Sequence, residues 1–293
     1  LPILDYIKDP APGPSLSAST AHVLLTQSPK HAWLRSARLN SAWEPDATNE
    51  TDLGTIVHAV LLEGDRTRLC VIDAPDWRTK AAKEARDVAR LSGLLPILAE
   101  RMRDVEAMVE AAREAIADSE LAGVMTSARI ESTLIWQEDG TWCRCRPDLM
   151  SADTRILLDF KTTARGAEPD GWARGPLLSS GYDLQAAMML RGAAALLGPA
   201  ERHAVFMVQE TEPPYAVSFV GLDPHYVEFA QAKLGAALRV WTHCLETGEW
   251  PAYPPRICWA SPPEWAVYRW GERQNLETPP PKFTDEEGTV DEL

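Results

Sequence analysis

The sequence has few cysteines, and none of them forms a CxxC pair. They are odd in number and irregularly spaced, which excludes the disulfide framework of a small secreted domain. We therefore expect reduced thiols and a cytoplasmic protein. The five cysteines are Cys70, Cys143, Cys145, Cys244 and Cys258.

Long apolar runs are also missing. No segment approaches the roughly 20 apolar residues that cross a bilayer. The first residues, LPILDYIKDPAPGPS, have neither the cationic start nor the apolar stretch of a signal peptide. We therefore expect a protein that is neither exported nor inserted in a membrane.

Positive charge is scarce, since 29 Lys and Arg against 43 Asp and Glu give a net charge of −14. A surface that coats nucleic acid nonspecifically depends on many cationic contacts with phosphate, so this composition argues against one. Part of the excess lies in the last ten residues, TDEEGTVDEL, which carry five acids and no base. Any nucleic-acid surface must therefore be local, such as a cleft or a channel lining.

Apolar material is sufficient for a full core, because 45% of the 293 residues are hydrophobic. We predict a proline-rich arm over residues 1–16, one domain over 17–275 and an acidic, flexible tail over 276–293. The domain is divided by composition into a helical part (17–125), a part with strands and helices (126–250) and a Trp- and Pro-rich wrap (250–275).

Helical patterns dominate the N-terminal part. Ser17, Ser19 or Thr20 is expected to cap a first helix. The segment TDLGTIVHAVLLEGD carries an apolar stripe at i, i+3, i+4, i+7 spacing, with Thr51 or Asp52 as its cap.

The composition then changes to strand-forming residues. The stretches ARIESTLIWQ, TWCRCRP and RILLDFKTT are separated by the turn signals EDG and SADT, which predicts a three-stranded antiparallel meander. A helix beginning at GYDLQ, two strands and a long helix follow. This order predicts an α/β fold with a mixed central β-sheet flanked by helices.

Two aspartates and a lysine are expected to converge at the end of the strand ILLDFKTT. Because side chains alternate along a strand, Asp159 and Lys161 share one face while Phe160 points into the core. The strand thus places an anion beside a cation at its exposed end. The short SADT turn brings Asp148 opposite Asp159. Converging carboxylates repel each other unless a cation lies between them, and oxygen ligands of this kind suit Mg²⁺ or Mn²⁺.

A lysine beside such a metal is placed to orient or deprotonate a water and to offset negative charge on a phosphate. These are the parts of a phosphodiester hydrolase. The alternative is a surface salt bridge at a strand end, which the D-x-K triplet alone favours. Because Asp148 lies at the end of the neighbouring strand, a metal site and a surface salt bridge are about equally supported.

Other residues add candidates, each with an ordinary alternative. His58 lies beside the apolar stripe of its helix, where Gly54 leaves room for close backbone approach, but a lone histidine is more often a core or surface residue. Tyr182 and Gln185 share one helix face, and Gln185 either holds a water or phosphate oxygen or is simply solvated. Glu131 is a candidate fourth metal carboxylate or an edge-strand glutamate that faces water.

With these residues, the sequence resembles the PD-(D/E)XK nuclease superfamily and, more closely, the RecE-type exonuclease domain (exodeoxyribonuclease VIII). The matching motifs occur in order along most of the chain: SLSAST with SPKHAW, LGTIVHAVLLEGD, CRPDLM, LLDFKTT, GYDLQAAMM, PPYAVSFVGL and GEWPAY. The resemblance implies a restriction-endonuclease-like core.

The resemblance also implies a metal site. His58, Asp148 and Asp159 would surround Mg²⁺ or Mn²⁺, and the backbone carbonyl of Phe160 would be a further ligand. Whether Glu131 reaches the metal stays open.

The same resemblance implies that Lys161 acts on the attacking water and that Tyr182 and Gln185 complete the catalytic set. Some relatives in the superfamily bind an iron–sulfur cluster through one early and three late cysteines, a pattern that fails here. Cys143 and Cys145 alternate onto the core face of their strand. We therefore predict no iron–sulfur cluster.

Similar proteins degrade one strand of linear double-stranded DNA from the 5′ end, leaving a 3′ overhang for a RecT-type single-strand annealing protein in phage recombination. The resemblance implies this activity and a homo-oligomer, a ring or tetramer, around DNA. Such an assembly would reconcile an acidic exterior with a basic channel. The candidate DNA contacts are Lys30, Arg35, Arg38, Arg144, Arg146 and Trp172.

Two alternatives remain open. The first is an endonuclease or nicking enzyme on the same fold, which a covalently closed circle separates from an exonuclease. The second is a non-catalytic DNA-end-binding protein. Loss of catalysis is disfavoured because the whole candidate set is present, although the same set can serve a nonhydrolytic metal-binding role.

Overall fold

The computed structural model describes residues 1–44 and 53–277. By its internal contacts the chain divides into two compact units, residues 1–252 and 253–293. The predicted cap at Thr51 or Asp52 and the acidic tail from residue 278 onward lie outside the described residues.

The strands of the described chain form three sheets. The strands are β1 (Ser15–Leu16), β2 (Leu69–Ile72), β3 (Leu95–Leu98), β4 (Arg129–Ile130), β5 (Leu134–Glu138), β6 (Thr141–Cys145), β7 (Leu149–Met150), β8 (Ile156–Thr163), β9 (His203–Glu210) and β10 (Val217–Gly221). Their orders in the sheets are β10-β9-β8-β7-β4, β1-β6-β5 and β2-β3.

Several helices of the described chain start as the sequence predicts. The Ser17 side chain accepts a hydrogen bond from the Thr20 backbone N–H, which confirms one of the expected caps. The helices are α1 (Ile3–Ile7), α2 (Ala18–Thr26), α3 (Pro29–Leu34), α4 (Leu53–His58), α5 (Lys80–Leu91), α6 (Met102–Ala117), α7 (Pro169–Arg174), α8 (Pro176–Ser179), α9 (Tyr182–Leu197), α10 (Pro224–Thr247) and α11 (Glu264–Glu277).

The five-stranded sheet is mixed, as predicted. Strand β8 pairs with β9 in parallel and with β7 antiparallel, and β4 and β10 form the two edges. A parallel pair needs a crossover connection, and here the crossover passes through α7, α8 and α9. The topology therefore places α9 in the crossover that follows the strand carrying Asp159 and Lys161.

Both faces of the central sheet are covered by hydrophobic residues. Leu157 and Phe206 pack on the side of α9 and α10, in one core cluster. Leu158 and Phe160 pack on the side of α4 and α6, in a second cluster. The alternation predicted for β8 is confirmed, and each face of the strand has its own core.

The predicted three-stranded meander is wrong, because its strands belong to two sheets. Strands β5 and β6 form an antiparallel hairpin whose other neighbour is β1, paired in parallel with β6. The chain leaves this sheet before Asp148 and enters the central sheet at β7. The hairpin packs closely on α9, since a β-carbon at Gly192 would lie 2.7 Å from the Trp136 ring.

A buried ion pair joins the N-terminal residues to the hairpin. Asp9 is 3% exposed and accepts hydrogen bonds from the backbone N–H and the hydroxyl of Ser15, at 2.8 and 2.6 Å. Arg144 lies 3.2 Å from the Asp9 carboxylate and also donates to the Ser15 carbonyl, at 3.0 Å. Residues 9–15 are thus fixed against β6 by Arg144.

Cys143 and Cys145, the alternate residues of β6, are both buried. This confirms the core packing predicted for them. Among the described residues, no helix combines the length and apolar character needed to cross a membrane.

Candidate active site

The candidate residues come from separate segments that meet at one end of the central sheet. His58 ends α4, Glu131 follows β4, Asp148 precedes β7, and Lys161 lies in β8. They line a cleft of about 950 Å³. The fold therefore brings these predicted site residues together.

The pairing of β7 with β8 sets the position of Asp148. Its register, Leu149 opposite Leu158, continues to Asp148 opposite Asp159, as the short turn predicts. Asp148 Oδ2 accepts a hydrogen bond of 2.7 Å from the Phe160 backbone N–H. This bond fixes one carboxylate oxygen, while Oδ1 faces His58.

His58 connects the helical part of the chain to the carboxylates. Its Nε2 lies 3.0 Å from Glu131 Oε1 and 3.3 Å from Asp148 Oδ1. Burial alone would lower the pKa of His58, but the nearby carboxylates of Asp148 and Glu131 raise it to about 10. Without a metal, the imidazole is therefore held as a cation between two anions.

Glu131 does not face water, contrary to one sequence-based alternative. Its side chain is 17% exposed and contacts both His58 and Arg146. The residue follows the edge strand β4 with a φ of 57°, a left-handed conformation that is uncommon outside glycine. This turn directs the carboxylate into the cleft.

Asp159 is buried, which corrects the expected exposed strand end. Only 2% of the residue is exposed, because α9 covers that face of the strand. Burial and the neighbouring Asp148 raise the pKa of Asp159 to about 7. Its two oxygens contact Lys161 and Gln185, which fixes their side chains around the carboxylate.

Lys161 is held as an ammonium group. Burial works against its charge, but Asp159 and Asp148 keep the pKa of Lys161 above its ordinary value. The ammonium also lies 4.7 Å from the centroid of the Tyr182 ring. In the metal-free site, Lys161 is thus a fixed positive charge rather than a base.

Trp172 does not offer a ring to DNA, contrary to prediction. The residue is 3% exposed, and its ring stacks on Tyr182 at a centroid distance of 5.5 Å. It also packs against Phe206. Trp172 therefore supports Tyr182 from within the core.

The basic candidates for DNA contact differ in position. Arg144 is buried in the ion pair with Asp9, so its predicted contact with DNA is wrong. Arg146 lies in the cleft against Glu131. The remaining three, Lys30, Arg35 and Arg38, are exposed. Lys30 lies over the Trp33 ring and Arg38 donates to the carbonyls of Ala11 and Pro12.

The donor atoms of the cleft fit a divalent cation. In the described chain, His58 Nε2, Glu131 Oε2 and Asp159 Oδ1 are buried and have ionic neighbours but no hydrogen bond of good geometry. Imidazole nitrogens and carboxylate oxygens are ordinary ligands of divalent metals. A cation in this position would neutralise the clustered carboxylates.

Glu63 is a further site residue that the sequence patterns did not indicate. Its Oε1 lies 3.5 Å from His58 Nδ1, and Glu63, His58 and Glu131 can bring ligand atoms within 4.8 Å of one another. The segment HAVLLEGD does show a carboxylate five residues after His58. In a regular α-helix that spacing would place the two residues on different sides.

Close packing at Gly54 sets the distance between α4 and β8, as the sequence suggested. A β-carbon at Gly54 would lie 2.5 Å from Thr162 Oγ1. We expect Gly54→Ala to push His58 away from β8 and to lower the phosphodiesterase rate that the sequence predicts by about 100-fold, since small misplacements of reacting groups are costly. The measurement is nucleotide release from DNA under saturating metal.

Thr162→Ala provides the matched test of that steric cause, because it removes both atoms that a new β-carbon would meet most closely. The double variant Gly54→Ala/Thr162→Ala should recover most of the lost rate. If the double variant stays as slow as Gly54→Ala, contact with Thr162 is not the cause.

The raised pKa of His58 predicts a pH-dependent stability of the metal-free protein. The stabilisation is complete below the unfolded value of 6.5 and is lost as pH rises through the folded value of about 10. We expect the melting temperature in EDTA to fall over this interval. His58→Asn should flatten this part of the curve, whereas an unchanged slope in His58→Asn would contradict the assignment.

A mixed sheet with Pro147–Asp148 just before β7 and Asp159–Phe160–Lys161 within the neighbouring β8 has the arrangement of a PD-(D/E)XK-type phosphodiesterase, a class of metal-dependent nucleases. Residues 18–258 match the family described as a PDDEXK-like domain of unknown function (DUF3799), and the chain belongs to that family. The comparison with curated proteins gave no match.

One solved structure supports this fold, and two others give weaker superpositions. A candidate exonuclease from Eubacterium rectale superposes with a TM-score of 0.55 at 12% identity, over 91% of this chain and 97% of that chain. A phage-related exonuclease from Haemophilus somnus 129PT gives a TM-score of 0.30 at 13% identity, over 58% and 85% of the two chains. An alkaline exonuclease from Laribacter hongkongensis gives 0.28 at 14% identity, over 66% and 95%. The first of these shows the α/β nuclease-like fold.

Proposed function

We propose that this protein is a Mg²⁺-dependent exodeoxyribonuclease that degrades one strand of linear double-stranded DNA. The observation that carries the proposal is the convergence of His58, Glu131, Asp148 and Lys161 on one cleft, with buried Asp159 in contact with Lys161. A phosphodiesterase needs clustered oxygen ligands for a divalent cation next to a fixed positive charge, and this group supplies both.

The metal ligands would be His58 Nε2 and the carboxylates of Asp148 and Asp159, with Glu131 and the Phe160 carbonyl completing the set. A bound Mg²⁺, or Mn²⁺, would supply Lewis-acid polarisation of the scissile phosphate. Asp148 is suited to this role because a backbone hydrogen bond from Phe160 already holds its second oxygen. Asp148 thus needs little rearrangement to bind a cation through Oδ1.

Lys161 would stabilise the charge that develops on the phosphate and orient the attacking water. Its ammonium is positioned by Asp159 and by the Tyr182 ring. Gln185 would act by holding the other Asp159 oxygen. Buried Trp172 stacks behind Tyr182, so this side of the site is rigid before substrate arrives.

A second cavity has a volume of about 610 Å³. We assign it to the path of a DNA strand. It shares Arg146 and Tyr182 with the catalytic cleft and is also lined by Arg144, Arg35 and Ser19. Arg144 is committed to Asp9. Arg35 and Arg146 are therefore the cations that we assign to backbone phosphates, which suits a chain whose net charge is −14.

The finer features of the activity are supported by the resemblance to RecE-type exonucleases. We propose 5′ to 3′ degradation, a 3′ overhang that passes to a RecT-type annealing protein in phage recombination, and a homo-oligomer, a ring or tetramer, that encloses the DNA. The exonucleases named among the structural neighbours are consistent with action on DNA ends.

The test is nucleotide release from linear duplex DNA labelled at either the 5′ or the 3′ end, with Mg²⁺ or EDTA, beside a covalently closed circle. Early loss of the 5′ label that requires Mg²⁺ and spares the circle is the expected result. Cutting of the circle would instead assign an endonuclease or nickase. Binding of DNA ends without release in any metal would assign a non-catalytic end-binding protein.

A further inference from the structure

The helix that carries His58 changes its hydrogen-bonding pattern directly after that residue. Helix α4 ends at His58, and a π-helical turn continues over Ala59–Glu63 until Gly64, at φ 67°, terminates it. In a π-helix each hydrogen bond joins residues five apart, so these two residues lie on nearly the same side of the helix. In an α-helix five residues span about 1.4 turns, which places them on different sides. The π-turn thus brings Glu63 back to the side of the helix that carries His58.

The two edges of the His58 ring therefore face different carboxylates. Nδ1 lies 3.5 Å from Glu63 Oε1, while Nε2 faces Glu131 and Asp148 at 3.0 and 3.3 Å. A histidine that binds a metal through one nitrogen usually has its other nitrogen held by a carboxylate or a carbonyl, which fixes the tautomer and the orientation of the ring. Glu63 occupies that second position.

Glu63 has its own fixed partner. Its Oε2 accepts a hydrogen bond of 3.1 Å from the Arg68 guanidinium, and its side chain is 27% exposed. One oxygen of the Glu63 carboxylate thus contacts Arg68 and the other faces His58, so the negative charge of Glu63 is already partly neutralised. A direct metal ligand would be expected instead on the Nε2 side, where the carboxylates of Asp148 and Glu131 converge.

We propose that Glu63 is a positioning residue of the metal site, which holds the His58 ring through Nδ1 so that Nε2 faces the cation. The role rests on the proposed metal-dependent function, because it concerns the same site. Glu63 acts through His58 and touches neither the cation nor the substrate.

The test is Mn²⁺ binding to the full chain, measured by calorimetry and by electron paramagnetic resonance. Glu63→Gln should weaken Mn²⁺ binding by about 10- to 100-fold with the same number of bound ions, the usual effect of removing a carboxylate behind a metal-binding histidine. The nuclease rate should need correspondingly more Mn²⁺ but reach the wild-type plateau, whereas general structural damage would lower the plateau.

Two further variants separate the possible causes. Arg68→Gln removes the other partner of Glu63 and should leave most of the affinity intact. In a His58→Ala background, Glu63→Gln should cause no additional loss, because its effect passes through the imidazole.

Other results would contradict either the role of Glu63 or the metal-dependent function itself. Unchanged affinity in Glu63→Gln, an equal loss in Arg68→Gln, or additive losses with His58→Ala would overturn the proposal. A fall in the number of bound ions would identify Glu63 as a ligand instead. If the wild-type chain binds no Mn²⁺ at all, the proposed metal-dependent function itself fails.

Discussion

Replacing Asp159 with asparagine should lower metal-dependent nucleotide release by about 1000-fold or more, because the substitution removes a proposed metal ligand and the carboxylate that positions Lys161. The amide has nearly the same shape as the carboxylate, so the strand and its packing should be retained. The measurement is the initial rate of nucleotide release from end-labelled linear DNA, together with the melting temperature of each protein in EDTA.

The matched control is Asp170→Asn, which makes the same chemical change in a side chain that is 76% exposed. Its rate should equal that of the wild type. A wild-type rate in Asp159→Asn would remove this carboxylate from the catalytic group. A large loss in both variants would show that the assay responds to something other than the site.

Replacing Arg144 with methionine should destabilise the protein by about 3–5 kcal/mol, the usual cost of leaving one partner of a buried ion pair without the other. The abandoned group is Asp9, which is 3% exposed. Its remaining hydrogen bonds come from residues 11 and 15 and carry no compensating charge. Urea-induced unfolding of the metal-free protein measures the loss.

A second substitution distinguishes this structural role from a contact with DNA. Asp9→Asn combined with Arg144→Met removes the uncompensated charge and should restore a large part of the stability. If Arg144→Met instead keeps its stability and weakens DNA binding, the sequence-based assignment to a phosphate contact was correct and the ion pair is unimportant.

The sequence predicted the part of the site that depends on local geometry. Alternation along β8 places Asp159 and Lys161 on one face, and the turn length sets Asp148 opposite Asp159; the strand pairing confirms both relations. The close approach at Gly54 was also predicted. Each of these follows from neighbouring residues and regular backbone geometry.

Long-range contacts were not predictable in the same way. Arg144 and Arg146 alternate identically on the sequence, but only Arg144 meets Asp9, a residue 135 positions away. Glu63 was missed because a π-turn changes which residues share a helix face, and no residue pattern marked that turn. The burial of Asp159 depends on α9, whose position is set by the crossover between two parallel strands.

Local unfolding should occur more readily on one side of the site than on the other, because β8 is central in the sheet and β4 lies at its edge. Strand β8 is central, has eight residues and pairs on both sides, so its amide hydrogens should exchange with solvent only in rare, global openings. Strands β7 and β4 have two residues each, and β4 lies at the edge. We therefore expect Asp159 and Lys161 to lie in the most slowly exchanging segment. Glu131 and Asp148 lie beside the short strands β4 and β7, whose pairing should break and re-form without unfolding of the rest of the protein.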